Sequence, residues 1–166
     1  MKKIKLVIAD YNKEYVTALK EYFMQDPEIE LVAALTDGAE LLRALEIVEP
    51  DVLLLDIVLP KLDGIGVLEE VRRNHQLREL KVIVASTFNQ ESIIKQTMRH
   101  GVDYYLIKPV NQRLLLDRIK DLAKGYPPLD GANLSNYQLV KERKAYFSNP
   151  NDIRLSITEL MHEIGV

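Results

Sequence analysis

Asp51-Val52-Leu53-Leu54-Leu55-Asp56-Ile57-Val58-Leu59-Pro60 is the stretch that decides the architecture. Val52 to Leu55 is wholly apolar, with no polar residue to mark a solvent-facing side. Such a run reads as a central strand of a parallel sheet, covered on both faces. It ends abruptly on a carboxylate, Asp56. A loop holding Pro60, Asp63 and Gly64 follows, and then Val67, Leu68 and Val71 at helical spacing.

The same texture repeats on either side. Towards the N-terminus, Ile4 to Ala9 is an apolar run ending on Asp10. Asn12 then caps a helix with Tyr15, Val16, Leu19, Tyr22 and Phe23 on one stripe. Ile29 to Leu35 is the second strand. Thr36-Asp37-Gly38 breaks it, Leu41, Leu42, Leu45 and Val48 form the next stripe, and Pro50 stops that helix. Towards the C-terminus, Val82 to Ala85 leads to Ser86-Thr87. A helix marked by Ile93, Ile94, Thr97 and Met98 closes at His100-Gly101. Val102 to Ile107 reads as the fifth strand, ending at Lys108-Pro109, and Leu114, Leu115, Ile119 and Leu122 line the fifth helix. Five βα units predict an α/β, doubly wound five-stranded parallel sheet with helices on both faces, in the order 2-1-3-4-5.

The bulk properties agree with one ordinary domain plus an appendage. The chain has 166 residues, 47% hydrophobic and 28% charged, with a formal net charge of -3. It contains no cysteine, which excludes disulfides, thiolate metal sites and a cysteine nucleophile. No apolar run approaches the roughly 20 residues of a membrane span, and the basic start soon reaches Asp10, unlike a signal peptide. A cytoplasmic protein with no membrane partner is the expectation. With 22 Lys and Arg against 25 Asp and Glu, nothing marks the whole chain as a polyanion binder.

Ligands of open α/β sheets sit at the carboxyl ends of the strands. Those ends carry Asp10, Asp56, Ser86 and Lys108. Each alone could be a turn or cap residue. Jointly, two carboxylates, a hydroxyl and an ammonium from four strands form one polar cluster. The chemistry that wants this set is phosphoryl transfer to a carboxylate, with Asp56 as nucleophile. Mg²⁺ would be held by carboxylates, and Lys108 and Ser86 would meet the phosphoryl oxygens.

Ile8-Ala9-Asp10, Leu54-Leu55-Asp56-Ile57-Val58-Leu59-Pro60-Lys61-Leu62-Asp63-Gly64, Ser86 and Tyr105-Leu106-Ile107-Lys108-Pro109 together resemble a two-component response-regulator receiver domain. The resemblance covers about residues 3 to 124 and implies a CheY-like, flavodoxin-like fold. Ile4 to Asp10, Asp51 to Ile57, Leu62-Asp63-Gly64 and Phe88-Asn89-Gln90-Glu91 are similar to the receivers of sporulation-initiation regulators in endospore-forming bacteria. Leu155 to Thr158 and His162 to Val166 resemble the opening of the DNA-binding effector domain of those regulators. The resemblance implies that Asp56 is the phosphoacceptor and that Asp10, Asp56 and the backbone carbonyl of Val58 serve Mg²⁺. It further implies that Lys108 and Ser86 contact the phosphoryl group, that Ser86 and Tyr105 form the switch pair, and that a cis peptide precedes Pro109. In the family logic the hydroxyl moves towards the phosphoryl group while the aromatic ring turns inward. The implied partners are a histidine kinase or phosphotransferase protein and a second copy of the chain through the fourth helix, fifth strand and fifth helix. DNA would be reached only through an effector domain beyond Val166. The protein is then a phosphoacceptor signalling protein rather than an enzyme.

One departure stands out. The family pattern has two adjacent acids after the first strand, and this chain has Asp10-Tyr11. A phenol with a reference pKa of about 10 is neutral and a poor Mg²⁺ ligand, so the metal site is expected to be weakened. Glu14, one helical turn further, could reach back. Two readings follow: a weakened but working phosphoreceiver, or a phosphorylation-independent pseudo-receiver acting as a dimerisation or docking module, with Tyr11 filling the metal site.

Competing motifs are poor. Gly64-Ile65-Gly66 lacks a third glycine and does not follow the first strand, so it reads as a helix entry. No G-x-x-x-x-G-K-[ST] occurs, and Tyr11-Asn12-Lys13-Glu14 lacks the Ser, Thr and Gly of an FMN phosphate loop. His75, His100 and His162 are scattered. Residues 1–124 are expected to form the receiver, 125–151 a linker, and 152–166 a short helix opened by the capping pattern Ser156-Ile157-Thr158-Glu159. Lys141-Glu142-Arg143-Lys144 reads as a solvated face. Leu114-Leu115-Leu116 offers more apolar surface than a short helix needs, hinting at a partner surface or burial under the tail.

Overall fold

A computed structural model of the chain describes residues 2–127. The predicted fifth helix ends within it; the linker expected over 125–151 lies outside the described residues after 127, as does the whole of the helix expected over 152–166. Ten elements alternate along the chain. They are β1 (Ile4–Ala9), α1 (Lys13–Met24), β2 (Ile29–Leu35), α2 (Gly38–Val48), β3 (Val52–Leu55), α3 (Gly64–Arg73), β4 (Lys81–Ser86), α4 (Glu91–Met98), β5 (Tyr104–Ile107) and α5 (Gln112–Ala123). The strands form one parallel sheet in the order β2-β1-β3-β4-β5, as the sequence predicts.

Alternation along the central strands separates two cores. Val7, Ala9, Leu53, Leu55, Val82, Val84 and Tyr105 face one side, where Leu41 and Leu45 of α2, Leu68 and Val71 of α3, and Ile93 and Ile94 of α4 cover them. Ile8, Leu54, Ile83, Ala85, Tyr104 and Leu106 face the other, under Leu19 and Phe23 of α1 and Leu115, Ile119 and Leu122 of α5. Neighbouring Tyr104 and Tyr105 therefore lie in different cores, both fully buried. The surplus leucines of α5 are largely absorbed inward, since Leu115 and Leu116 are buried and Leu114 half-buried.

Two strands differ in extent from the sequence reading, β4 reaching one residue further at each end and β5 starting later. The fifth strand begins at Tyr104, not Val102, because Asp103 closes the pair with β4 differently. Its carboxylate accepts from the Val82 amide at 2.9 Å while its own amide donates to the Val82 carbonyl at 2.9 Å. Strand β1 also slips in register against β2 between Leu6 and Val7, leaving Val32 as an extra residue. Asn12 caps α1 and Gly64 opens α3, as read, while Asp37 and Asp63 are the N-caps of α2 and α3. No helix among the described residues is long and apolar enough to cross a membrane.

The loop after β3 is held against the start of α2. The Gly38 amide donates to the Pro60 carbonyl at 3.1 Å, and Gly64 donates to Ile57 at 2.7 Å. Asp37 accepts from the amides of Ala39 and Glu40 with one oxygen and meets the Lys61 ammonium at 2.9 Å with the other. A Cβ at position 38 would stand 1.8 Å from the Leu62 carbonyl oxygen, whereas nothing lies within 4 Å of one at Gly125. Backbone cannot yield as a flexible side chain does, so the loop itself would have to move. Gly38→Ala is expected to cost about 2–3 kcal/mol of stability. Gly125→Ala, strained only by its positive φ of 85°, should cost about 1 kcal/mol. Urea unfolding of the two variants measures the contrast.

Candidate functional site

The sheet delivers the four strand-terminal residues with their backbones already fixed. The Asp10 amide donates to Leu35 at 3.1 Å, Asp56 to Ala9 at 2.9 Å and Lys108 to Ser86 at 2.9 Å. Each ladder thus continues one residue past its strand, and the side chains emerge at the same sheet edge. The Lys108–Pro109 peptide is cis.

Three of the four groups meet directly. The Lys108 ammonium lies 2.8 Å from Asp56 Oδ2 and also pairs with Asp10 Oδ2. The second oxygen of each carboxylate is held by backbone: Asp56 Oδ1 accepts from the Val58 amide at 3.0 Å, and Asp10 Oδ1 from the Asn12 amide at 2.9 Å. Asp56 is 2% exposed and Asp10 3%, so two carboxylates share one ammonium almost out of reach of bulk water. Burial, aided by the Asp56 charge, pushes the Asp10 carboxyl up to about 6, although Lys108 and the Asn12 amide pull it down. For Lys108, burial favours the neutral amine, but the charges of Asp56 and Asp10 outweigh it and the pKa is raised. The ammonium is therefore charged wherever Asp10 titrates.

Ser86 and Tyr105 meet around Phe88 rather than around the carboxylates. The Ser86 hydroxyl accepts from the Phe88 amide at 3.3 Å, and the Tyr105 hydroxyl donates to the Phe88 carbonyl at 2.7 Å. Both residues have 0% exposure, and burial first, then the Asp56 charge, raises the Tyr105 phenol. Tyr11 is half-buried and packs against the apolar core beneath α2 and α3. Glu14 is exposed and does not reach back: no group of three acidic or histidine side chains able to hold a metal exists among the described residues. His75 is exposed, and His100 contributes its backbone carbonyl to Arg72 at 2.6 Å; His162 lies outside the described residues.

Sequence reasoning missed Tyr15 as a member of the site. It was assigned to the apolar stripe of α1, yet Lys108 Nζ lies 4.3 Å from the centre of its ring. The only sequence signal is an aromatic residue in the first turn after a strand ending on Asp. Of the residues that hold the loop behind Asp56, Asp37 and Gly38 read in the sequence as punctuation alone, and Lys61 only as part of the motif around Asp56.

Residues 6–120 match the family described as response regulator receiver domain. The chain belongs to this family. Among solved structures it is similar to the signal receiver domain of NarL from Mycobacterium tuberculosis, with 26% identity, a TM-score of 0.68, and 75% of this chain and 99% of that one covered. It is also similar to the receiver domain of AraT, a response regulator from Geobacillus stearothermophilus, with 26% identity, a TM-score of 0.64, and 73% and 93% covered. The isolated receiver domain of RcsB from Salmonella enterica shares the fold at 20% identity, with a TM-score of 0.70 and 81% and 99% covered. Receivers are phosphoacceptor signalling modules of two-component systems, pair with histidine kinases and typically bind Mg²⁺.

The donor set of this receiver fits Mg²⁺ only at its minimum. Magnesium accepts one or two carboxylates with water and phosphate oxygens, and Asp10 and Asp56 supply two, both already engaged by Lys108.

The raised Asp10 pKa has a definite sign in stability. A carboxyl that holds its proton more tightly folded than unfolded makes the folded state lose ground as pH rises from about 4 to about 6. Below that window the contribution vanishes. Asp10→Asn cannot ionise, so its stability relative to the parent should improve by on the order of 2–3 kcal/mol between pH 4 and pH 7.5. Parallel denaturant titrations at the two pH values check this; an unchanged difference would mean that Asp10 titrates normally.

Proposed function

We propose that this receiver accepts a phosphoryl group on Asp56 and that the event biases the Ser86–Tyr105 pair and the face made by α4, β5 and α5. The observation carrying the proposal is the Lys108 ammonium 2.8 Å from a carboxylate that is 98% buried. An Asp56 oxygen attacks phosphorus, and the O–P bond forms as the bond from phosphorus to the donor's leaving group breaks. The leaving group departs with that electron pair. Lys108 remains beside the oxygens on which charge accumulates, and Ser86 offers a hydroxyl to the same oxygens. Asp10, Asp56 and the carbonyl of Val58 would hold Mg²⁺, which when bound neutralises phosphoryl oxygens. Tyr11 replaces a direct carboxylate there, so modification is slow or comes only from a cognate donor, a histidine kinase or phosphotransferase protein.

Sporulation-type transcriptional control is the finer reading. It rests on the sequence resemblance of residues 4–10, 51–57, 62–64 and 88–91, and of the tail after Leu155. In that reading 125–151 is a linker, 152–166 opens an effector domain that reaches DNA, and two receivers pair through the α4, β5 and α5 face.

A specific observation favours a second reading, a phosphorylation-independent docking module. Tyr105 already lies fully buried with its hydroxyl on Phe88. In family logic that inward position belongs to the phosphorylated state.

Intact mass after incubation with Mg²⁺ and acetyl phosphate separates the two. One phosphoryl adduct, absent from Asp56→Ala, is expected. No adduct under conditions that label an ordinary receiver, nor from a protein donor, would leave the docking module. In the labelled protein, Tyr11→Asp should raise Mg²⁺ affinity and labelling rate by about tenfold, the effect of one added carboxylate ligand. Magnesium titration read by tyrosine fluorescence, beside labelling rates, measures both.

A further inference from the structure

The Lys108 ammonium has three N–H donors. One direction is taken by Asp10 Oδ2 and one by Asp56 Oδ2. On a further side lies the face of Tyr15, 4.3 Å from the nitrogen, inside the range in which a cation is drawn to an aromatic ring. The lysine side chain is left only 13% exposed.

Tyr15 is also tied to the cluster through its backbone. Asp10 Oδ1 accepts the Asn12 amide at 2.9 Å, and Asn12 in turn caps α1 by accepting the Tyr15 amide at 3.1 Å. The carboxylate that pairs with Lys108 therefore sets, through one residue, where the ring over Lys108 begins. Among the described residues its buried hydroxyl meets no hydrogen-bond partner, so none of them fixes the ring through it.

From this we infer that Tyr15 is a positioning residue for Lys108, acting through the π face of its ring and not through its hydroxyl. The inference rests on the proposed phosphoryl chemistry for its consequence. One of the carboxylates that hold the ammonium, Asp56, changes charge when its oxygen becomes bonded to phosphorus. The ring's contact with the ammonium does not depend on that charge. It keeps the ammonium at the strand ends while Asp56 changes, so that the lysine meets the phosphoryl oxygens without searching for them.

The test uses the full chain, with Tyr15→Phe and Tyr15→Leu in the parent and in a Lys108→Met background, each checked by urea unfolding. Acetyl phosphate labelling of Asp56 is expected within twofold of the parent for Tyr15→Phe and about fivefold slower for Tyr15→Leu, a loss within the range of one desolvated cation–ring contact. In the Lys108→Met background, Tyr15→Leu should change nothing further. A Tyr15→Leu rate equal to the parent, an equal loss in Tyr15→Phe, or the same loss without Lys108 would each overturn the inference. A second readout needs no phosphoryl transfer: the Lys108 ε-methylene protons should be shifted upfield by the ring in the parent and Tyr15→Phe, and return towards ordinary values in Tyr15→Leu. If the parent is not labelled, the proposed phosphoryl chemistry fails while this shift still decides the position of Tyr15. Absence of the shift in the parent overturns the inference whatever the labelling.

Discussion

Two carboxylates and one ammonium, nearly stripped of water, must be kept within hydrogen-bond reach of one another. Coulombic attraction strengthens as the effective dielectric falls, but so does the cost of removing each charge from water. Such a trio is tolerable where the carboxylate oxygens that the ammonium does not reach have donors of their own, and here the amides of Val58 and Asn12 supply one each. The arrangement also explains what the sheet order is for. Asp10 and Asp56 follow adjacent strands, β1 and β3, while Lys108 follows β5, two positions beyond β3. Two strand spacings are about 10 Å, so only a long side chain from that edge can span β4 and reach both acids. Ser86, a small residue, ends the strand between them.

The surroundings bear on the trio by fixing backbone rather than by adding charge. Asp56 is followed by a loop that Gly38 and Lys61 fasten to the start of α2. That fastening holds the Val58 amide where Asp56 needs it. On the other side, the Asn12 cap links Asp10 to α1. Both supports are local hydrogen bonds made by residues that, taken singly, serve as caps and turns. Their importance comes from what they hold still.

The contrast between what was legible in the sequence and what was not follows the range of the interactions. Val52–Leu55 revealed its place in the sheet because full burial on both faces leaves an uninterrupted apolar run. Asp10, Asp56, Ser86 and Lys108 could be grouped because a parallel sheet sends all its strand ends to one edge. Asn12 and Gly101 were readable because capping and a left-handed backbone are decided within a few residues. Tyr15 was not. A tyrosine at helical spacing among apolar residues looks the same whether its ring covers core or cation, and Lys108 is 93 residues away in sequence. Gly38 escaped for a related reason, since its requirement comes from the Leu62 carbonyl brought in by the fold. The fifth strand was read two residues long because Val102 is apolar and buried, and burial alone does not separate a strand from the turn that precedes it.

Tyr11 alters the electrostatic balance of the pocket in a direction that the geometry makes specific. Asp10, Asp56 and Lys108 carry a formal charge of -1, and a second acid beside Asp10 would make it -2. Asp10 already holds its proton up to about pH 6 with a single like charge nearby. A further carboxylate would raise that repulsion unless a divalent cation offset it. With a phenol at position 11, packed on the α2 and α3 side, Lys108 alone comes close to balancing the pocket. On the proposed phosphoreceiver reading, a phenol at this position leaves the neutralising of the two carboxylates to Lys108 and to whatever holds Lys108.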